Sequence, residues 1–169
     1  MLANVKADQL DDPTPCASWK VRDLVNHLIG GAHWFGETMN AGESGAPAEK
    51  DWTAGDMLAD FDAGAKKAVD AFDAPGAQEK IVKLPFGEFP GAAYMAIATN
   101  DVFTHGWDLA KATGQSTDLD PELAAENTAN SFLPDAFRGD EPLPFGLVKE
   151  APAGATAADR HAAFMGRDV

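Results

Sequence analysis

The chain has 169 residues, 45% of them hydrophobic, and a formal net charge of −14. Such a length suits one domain over residues 1–169 with a sizeable core, and the acidic balance argues against nucleic acid or anionic membrane as partners, since both select a basic surface. A single cysteine, Cys16, rules out an internal disulfide framework. No apolar run approaches the roughly 20 residues of a membrane span, and the N-terminus lacks the apolar segment of a signal peptide, so a soluble cytoplasmic protein is expected.

Residues 2–10 read as a short helix ending before Asp11-Asp12-Pro13-Thr14-Pro15, whose prolines mark a rigid loop. Ser18 is the expected cap of a second helix over 19–39. Val21, Leu24, Val25, Leu28, Ala32 and Phe35 give it an apolar stripe of helical period, with His27 at the stripe's edge. Gly30 and Gly31 each cost about 1 kcal/mol against alanine inside a helix, which makes sense if another helix or a ligand comes close there. Residues 40–52 read as a loop. A third helix over 54–73, begun by Thr53 with Asp56, is predicted to bury Met57, Leu58, Phe61, Ala65, Val69 and Phe72.

Ile81-Val82-Lys83-Leu84 is β-prone, and residues 85–90 form a turn with a second extended piece. The central helix runs over 90–114, with Pro90 in its first turn and Gly114 as its stop. Asp120-Pro121 opens a helix over 121–133, and residues 134–153, with Pro134, Pro142, Pro144 and Pro152, form an irregular excursion. Thr156 caps a final helix over 157–165, closed by Gly166. The pattern predicts a mainly all-α protein, a helical bundle with a short extended element near 81–89.

The chemistry concentrates on the central helix. Asp101 and His105 are four residues apart and so lie one above the other on a helix. Tyr94, Ala98, Val102 and Leu109 place them on or beside the core-facing stripe. The second helix repeats the spacing with Asp23 and His27. If the two helices pack together, two imidazoles and one carboxylate converge, which suits a catalytic divalent ion with open positions. The same spacing also serves plain structural pairing, and it does not choose between Asp23 and Asp101. The other aspartate could accept the outer N–H of a ligand imidazole, as could Asp108, one turn beyond His105. His33 could line the same mouth, although a surface position is the plainer reading, and His161 reads as solvent-facing. Cys16 reads as a small apolar plug rather than a reactive thiol, and Trp19 and Trp107 as structural. No nucleophile elbow or phosphate-binding glycine loop is present.

Thr14-Pro15-Cys16-x-x-Trp19-x-Val21-x-Asp23-Leu24-Val25-x-His27-Leu28 resembles the opening motif of the mycothiol-dependent maleylpyruvate isomerase / DinB-like superfamily. Asp101-x-x-x-His105-Gly106-Trp107-Asp108-Leu109-Ala110 is similar to its second motif, and Gly166-Arg167-Asp168 to the ending of an actinobacterial branch. The resemblance implies a DinB-like four-helix bundle holding a divalent metal ion, zinc or nickel, on His27, Asp101 and His105. It favours Asp101 over Asp23. It further implies activation of a low-molecular-weight thiol, mycothiol or a relative, toward a small electrophile, as an S-transferase or isomerase. The isomerase carries glutamate where this chain has Asp101, and a longer first helix; a homodimer would cover the surface that helix leaves. Its separate C-terminal domain has no counterpart here, so its substrate is not carried over. The alternatives are a non-catalytic metal- or small-ligand-binding protein, and a structural helical dimer in which histidines and aspartates satisfy one another.

Overall fold

The structure, a computed structural model, describes residues 1–131, 133–139 and 145–169. Among them are five α-helices: α1 (Val21–Ala41), α2 (Met57–Phe72), α3 (Gly91–Ala112), α4 (Pro121–Ala129) and α5 (Ala157–Phe164). An antiparallel hairpin, β1 (Ile81–Leu84) and β2 (Gly87–Pro90), pairs Ile81 with Pro90 and Leu84 with Gly87 across the turn at Pro85 and Phe86. The protein is therefore mainly α with a short β element, as the hydrophobic periodicity predicts. Among the described residues no helix is long and apolar enough to cross a membrane.

Local chemistry sets most boundaries. Asp120 caps α4 by accepting from the backbone N–H of Glu122 and Leu123, and Thr156 caps α5 through the N–H of Asp159. Other starts differ from expectation. Residues 2–10 form two 3₁₀ turns, Leu2–Asn4 and Ala7–Gln9, instead of a helix. They are too few to repay nucleation of an α-helix, and their anchors are the buried Leu2 and Val5. Helix α1 starts after Lys20, not at Ser18, because the Asp23 carboxylate accepts the Lys20 N–H at 2.9 Å. Asp56, not Thr53, caps α2, while Thr53 lies in a 3₁₀ turn. Helix α4 ends at Ala129, short of 133. Pro142 and Pro144 lie outside the described residues, and Pro134 and Pro152 lie in non-helical chain.

Helices α1 and α2 approach closely at two glycines. A Cβ added at Gly36 would lie 2.8 Å from the Ala68 backbone nitrogen, and one at Gly64 2.9 Å from that of His33. The close approach of a helix is therefore made at Gly36 and Gly64, while Gly30 and Gly31 face a cavity. Below this contact the buried Leu24, Leu28, Trp52 and Leu109 form one apolar cluster with the N-terminal turns. Phe35, Met39, Phe72, Val82 and Tyr94 form a second over the hairpin. Trp107 and Phe103 of α3 meet Ala124, Ala158 and Ala162 of α4 and α5 in a third.

Two of the side chains expected in the α2 core are outside it: Leu58 and Val69 are exposed. Val69 lines an open groove of about 600 Å³ between α2 and α3, to which the N-terminal segment contributes Met1 alone. The helix expected over residues 2–10 does not form, and this apolar face is open. His161 is the opposite case. It is fully buried, not solvent-facing, because Thr104 and Thr128 satisfy its two ring nitrogens at 3.1 and 2.9 Å.

A candidate metal centre

Helix α1 carries His27 on the edge of its buried stripe, and α3 carries Asp101 and His105 one turn apart. Packing of α3 against α1 brings the three together, with one ligand atom from each within 4.8 Å of the others. His27 Nε2 lies 3.2 Å from both carboxylate oxygens of Asp101. His105 Nε2 lies 3.6 Å from Asp101 Oδ1. The two imidazoles meet edge to face, with ring centroids 4.6 Å apart.

These separations suit a cation. Two donors held at about 2.1 Å from one ion at a tetrahedral angle stand about 3.4 Å apart. The donor set of two imidazole nitrogens and one carboxylate is that of a catalytic zinc-type site. Burial pulls His27 toward neutrality, but the hydrogen bond and charge of Asp101 prevail and raise its pKa. Burial pushes Asp101 up, and the His27 hydrogen bond, with the charges of His27, His105 and Arg167, more than reverses it. Asp101 is therefore ionised near neutral pH, the state a metal ligand requires.

Behind His105 lies a second layer. Its Nδ1 is 3.0 Å from Asp108 Oδ2, which turns Nε2 toward Asp101. Asp108 is fully buried. Arg167, from the tail after α5, holds it by Nε to Oδ1 at 3.1 Å and Nη2 to Oδ2 at 2.8 Å. Burial would raise the Asp108 pKa, but the hydrogen bonds from His105 and Arg167 lower it.

Cys16 joins the same layer, donating from Sγ to Asp108 Oδ2 at 3.2 Å, with Arg167 Nη2 at 3.4 Å. Thr14 shapes its loop, with Oγ1 accepting the Cys16 N–H at 3.1 Å and donating to the Trp19 carbonyl at 2.9 Å. Burial, then the Asp108 charge, pushes the thiol up to about 12. Cys16 is thus a polar member of a hydrogen-bonded cluster, in place of the apolar plug expected. Cys16, His105 and Asp108 also bring their donor atoms within 4.8 Å of one another. The Arg167 cation against both Cys16 and Asp108 disfavours a metal ion there.

The remaining predicted residues fall elsewhere. Asp23 is committed to the start of α1. His33 faces α2, stacked on Trp52 with centroids 4.8 Å apart and hydrogen-bonded to the Asp60 carbonyl at 3.0 Å. Two residues that shape the site escaped sequence reasoning. Trp19 packs on both imidazoles, 4.9 Å from His27 and 5.4 Å from His105. Arg167 stands in the closing motif, but nothing local in the sequence points to Asp108.

A cavity of about 1040 Å³ opens beside the cluster and is lined by His27, Asp101, Gly30 and Gly31, not by His33. The family model of the mycothiol maleylpyruvate isomerase N-terminal domain matches residues 1–110. The chain belongs to that family. Two uncharacterized proteins of Mycobacterium tuberculosis, from strains CDC 1551 / Oshkosh and ATCC 25618 / H37Rv, are each 44% identical over 171 residues. Each alignment covers 100% of this chain and 91% of the relative. No solved structure matches significantly. The mycothiol maleylpyruvate isomerase N-terminal domain family is metal-binding in general, and membership supports a mycothiol-related, DinB-like metal-binding function. The family match ends within α3, so α4, α5 and the tail bearing Arg167 lie beyond it.

Proposed function

We propose that the protein is a metal-dependent enzyme that activates a mycothiol-like thiol for transfer to, or isomerisation of, a small electrophile. His27, Asp101 and His105 would hold the ion, zinc or nickel. The observation that carries the reading is the cavity opening onto His27 and Asp101, because a purely structural pairing has no use for one. A bound divalent ion supplies a deprotonated thiol sulfur at neutral pH. The residues around it do the rest. Asp108 fixes the ring of His105 so that Nε2 faces the cluster, Arg167 keeps Asp108 ionised, and Trp19 covers the imidazoles from one side.

In transfer, an S–C bond forms, the electrophile's leaving group departs with its electron pair, and the thiol proton passes to solvent. No oxidant or reductant is consumed. Residues 1–169 would act as one domain, since the tail closes on α3 through Arg167. A homodimer over the open groove between α2 and α3 completes the proposal, and sedimentation velocity tests it.

The experiment is elemental mass spectrometry of untagged protein beside a His105→Ala variant, followed by mycothiol consumption with chlorodinitrobenzene. Near-stoichiometric zinc or nickel lost in the variant, with metal-dependent thiol consumption, is expected. Metal without any thiol consumption across a panel of electrophiles favours the non-catalytic binding protein. No metal in either protein after incubation with both ions overturns the metalloenzyme.

A further inference from the structure

The cavity beside the cluster has a composition of its own. Trp34, Phe35, Phe86, Phe89, Phe137 and Phe145 line it, and Phe86, Met95 and Phe137 are exposed. Exposed apolar side chains gathered at one opening mark a binding mouth. Among the described lining residues Lys50 is the one lysine or arginine, and His27 belongs to the cluster. Lys50 already pairs with Asp60 at 3.4 Å and lies 3.7 Å over the Trp52 ring. Of the lining acids, Asp101 is committed to the cluster and Glu126 adds negative charge.

Two polar atoms in this wall lack partners among the described residues. They are Asn100 Oδ1, an acceptor on α3, and Asn127 Nδ2, a donor on α4. Each is shielded from solvent, and a buried polar atom left unpaired costs on the order of 1–3 kcal/mol. A small turn of either side chain toward the cavity would let a ligand with one donor and one acceptor supply both partners.

The geometry points to an uncharged, largely apolar molecule of aromatic size as the occupant, with one amide-like polar group facing Asn100 and Asn127. This rests on the proposed function in placing that molecule as the electrophile beside the activated thiol. At about 1040 Å³ the cavity is at the upper end of ordinary ligand pockets, which run to roughly 1,000 Å³, so thiol and apolar partner fit together. Away from the cluster, a small dianion such as maleylpyruvate would meet an apolar wall, the Glu126 carboxylate and a lysine already paired.

The test is fluorescence titration of the full chain with N-phenylnaphthylamine, an uncharged apolar probe, with metal content read on the same preparations. Saturable binding is expected, displaced by naphthamide at least tenfold better than by naphthalene dicarboxylate. Gly31→Leu is expected to weaken binding at least tenfold. A Cβ at Gly31 meets the Phe35 ring at an ordinary 3.6 Å, so the helix accepts the side chain while the cavity fills. Ala96→Leu fills the cavity from α3 and is the second variant. Asn127→Leu is expected to erase the preference for naphthamide over naphthalene.

Equal displacement by the dicarboxylate overturns the inference. So does unchanged binding in both filled variants, or the absence of probe binding to protein that carries its metal. Probe binding with this pattern on protein that never takes up metal overturns the metal–thiol reading and leaves the apolar site standing.

Discussion

Arg167 and Asp108 stand 59 residues apart in sequence and form a two-point ion pair inside the protein, Nε to Oδ1 at 3.1 Å and Nη2 to Oδ2 at 2.8 Å. The pair ties the tail to the back of the candidate metal centre, since Asp108 also meets His105 Nδ1. Removing one partner of a buried pair leaves the other charge uncompensated, which costs about 3 kcal/mol or more. Arg167→Met is therefore expected to lower stability by about that amount in urea unfolding. It is also expected to weaken zinc binding by about 10- to 100-fold, the usual effect of disturbing the group that orients a ligand imidazole. Unchanged zinc affinity in a folded variant would show that the pair has no hold on His105.

His161 is buried between Thr104 and Thr128. Burial, and then the Arg167 charge, depress its pKa to about 4. The folded value is below the unfolded one, so as pH falls the unfolded chain takes up the proton first. The stability that neutral His161 confers is complete above about 6.5 and is lost between there and about 4, with a loss on the order of 3 kcal/mol. Urea midpoints measured across that interval should fall with pH, and His161→Gln should flatten the slope. An unchanged slope would place the titration elsewhere.

Gly64 faces the backbone of His33 at the crossing of α1 and α2. Alanine favours a helix by about 1 kcal/mol over glycine, so an isolated α2 would gain from Gly64→Ala. In the protein the added methyl meets backbone, which cannot turn aside as a side chain can. Gly64→Ala is expected to destabilise by about 1–3 kcal/mol, in line with overpacked cores. A rise in the thermal midpoint would contradict that contact.

Cys16 donates its S–H to Asp108, and the thiol is raised to about 12 from an ordinary 9. The thiolate is the reactive form, so metal-free folded protein at pH 8 should react with iodoacetamide about a thousandfold more slowly than urea-unfolded chain. Comparable rates would mean that the loop at Thr14 opens freely.

Local features were legible in the sequence. Helical period placed α1, α2 and α3 to within a few residues, and Asp120, Thr156 and the prolines marked boundaries, because caps and stripes involve neighbours three or four residues apart. The same spacing showed that His27 and the Asp101–His105 pair each lay at the edge of a buried face. What each face meets was set by the packing of distant segments. Asp23 has the same spacing to His27 as Asp101 has to His105, yet it caps the start of α1, while Asp101 arrives from α3 to within 3.2 Å of His27. Leu58 and Val69 are exposed although both fall on the apolar stripe of α2. His161 is buried because α4 and α3 each offer it a hydroxyl, and Arg167 reaches Asp108 only once the tail folds back. Spacing along a helix sets which side chains share a face, and the path of the rest of the chain sets the partner that face receives.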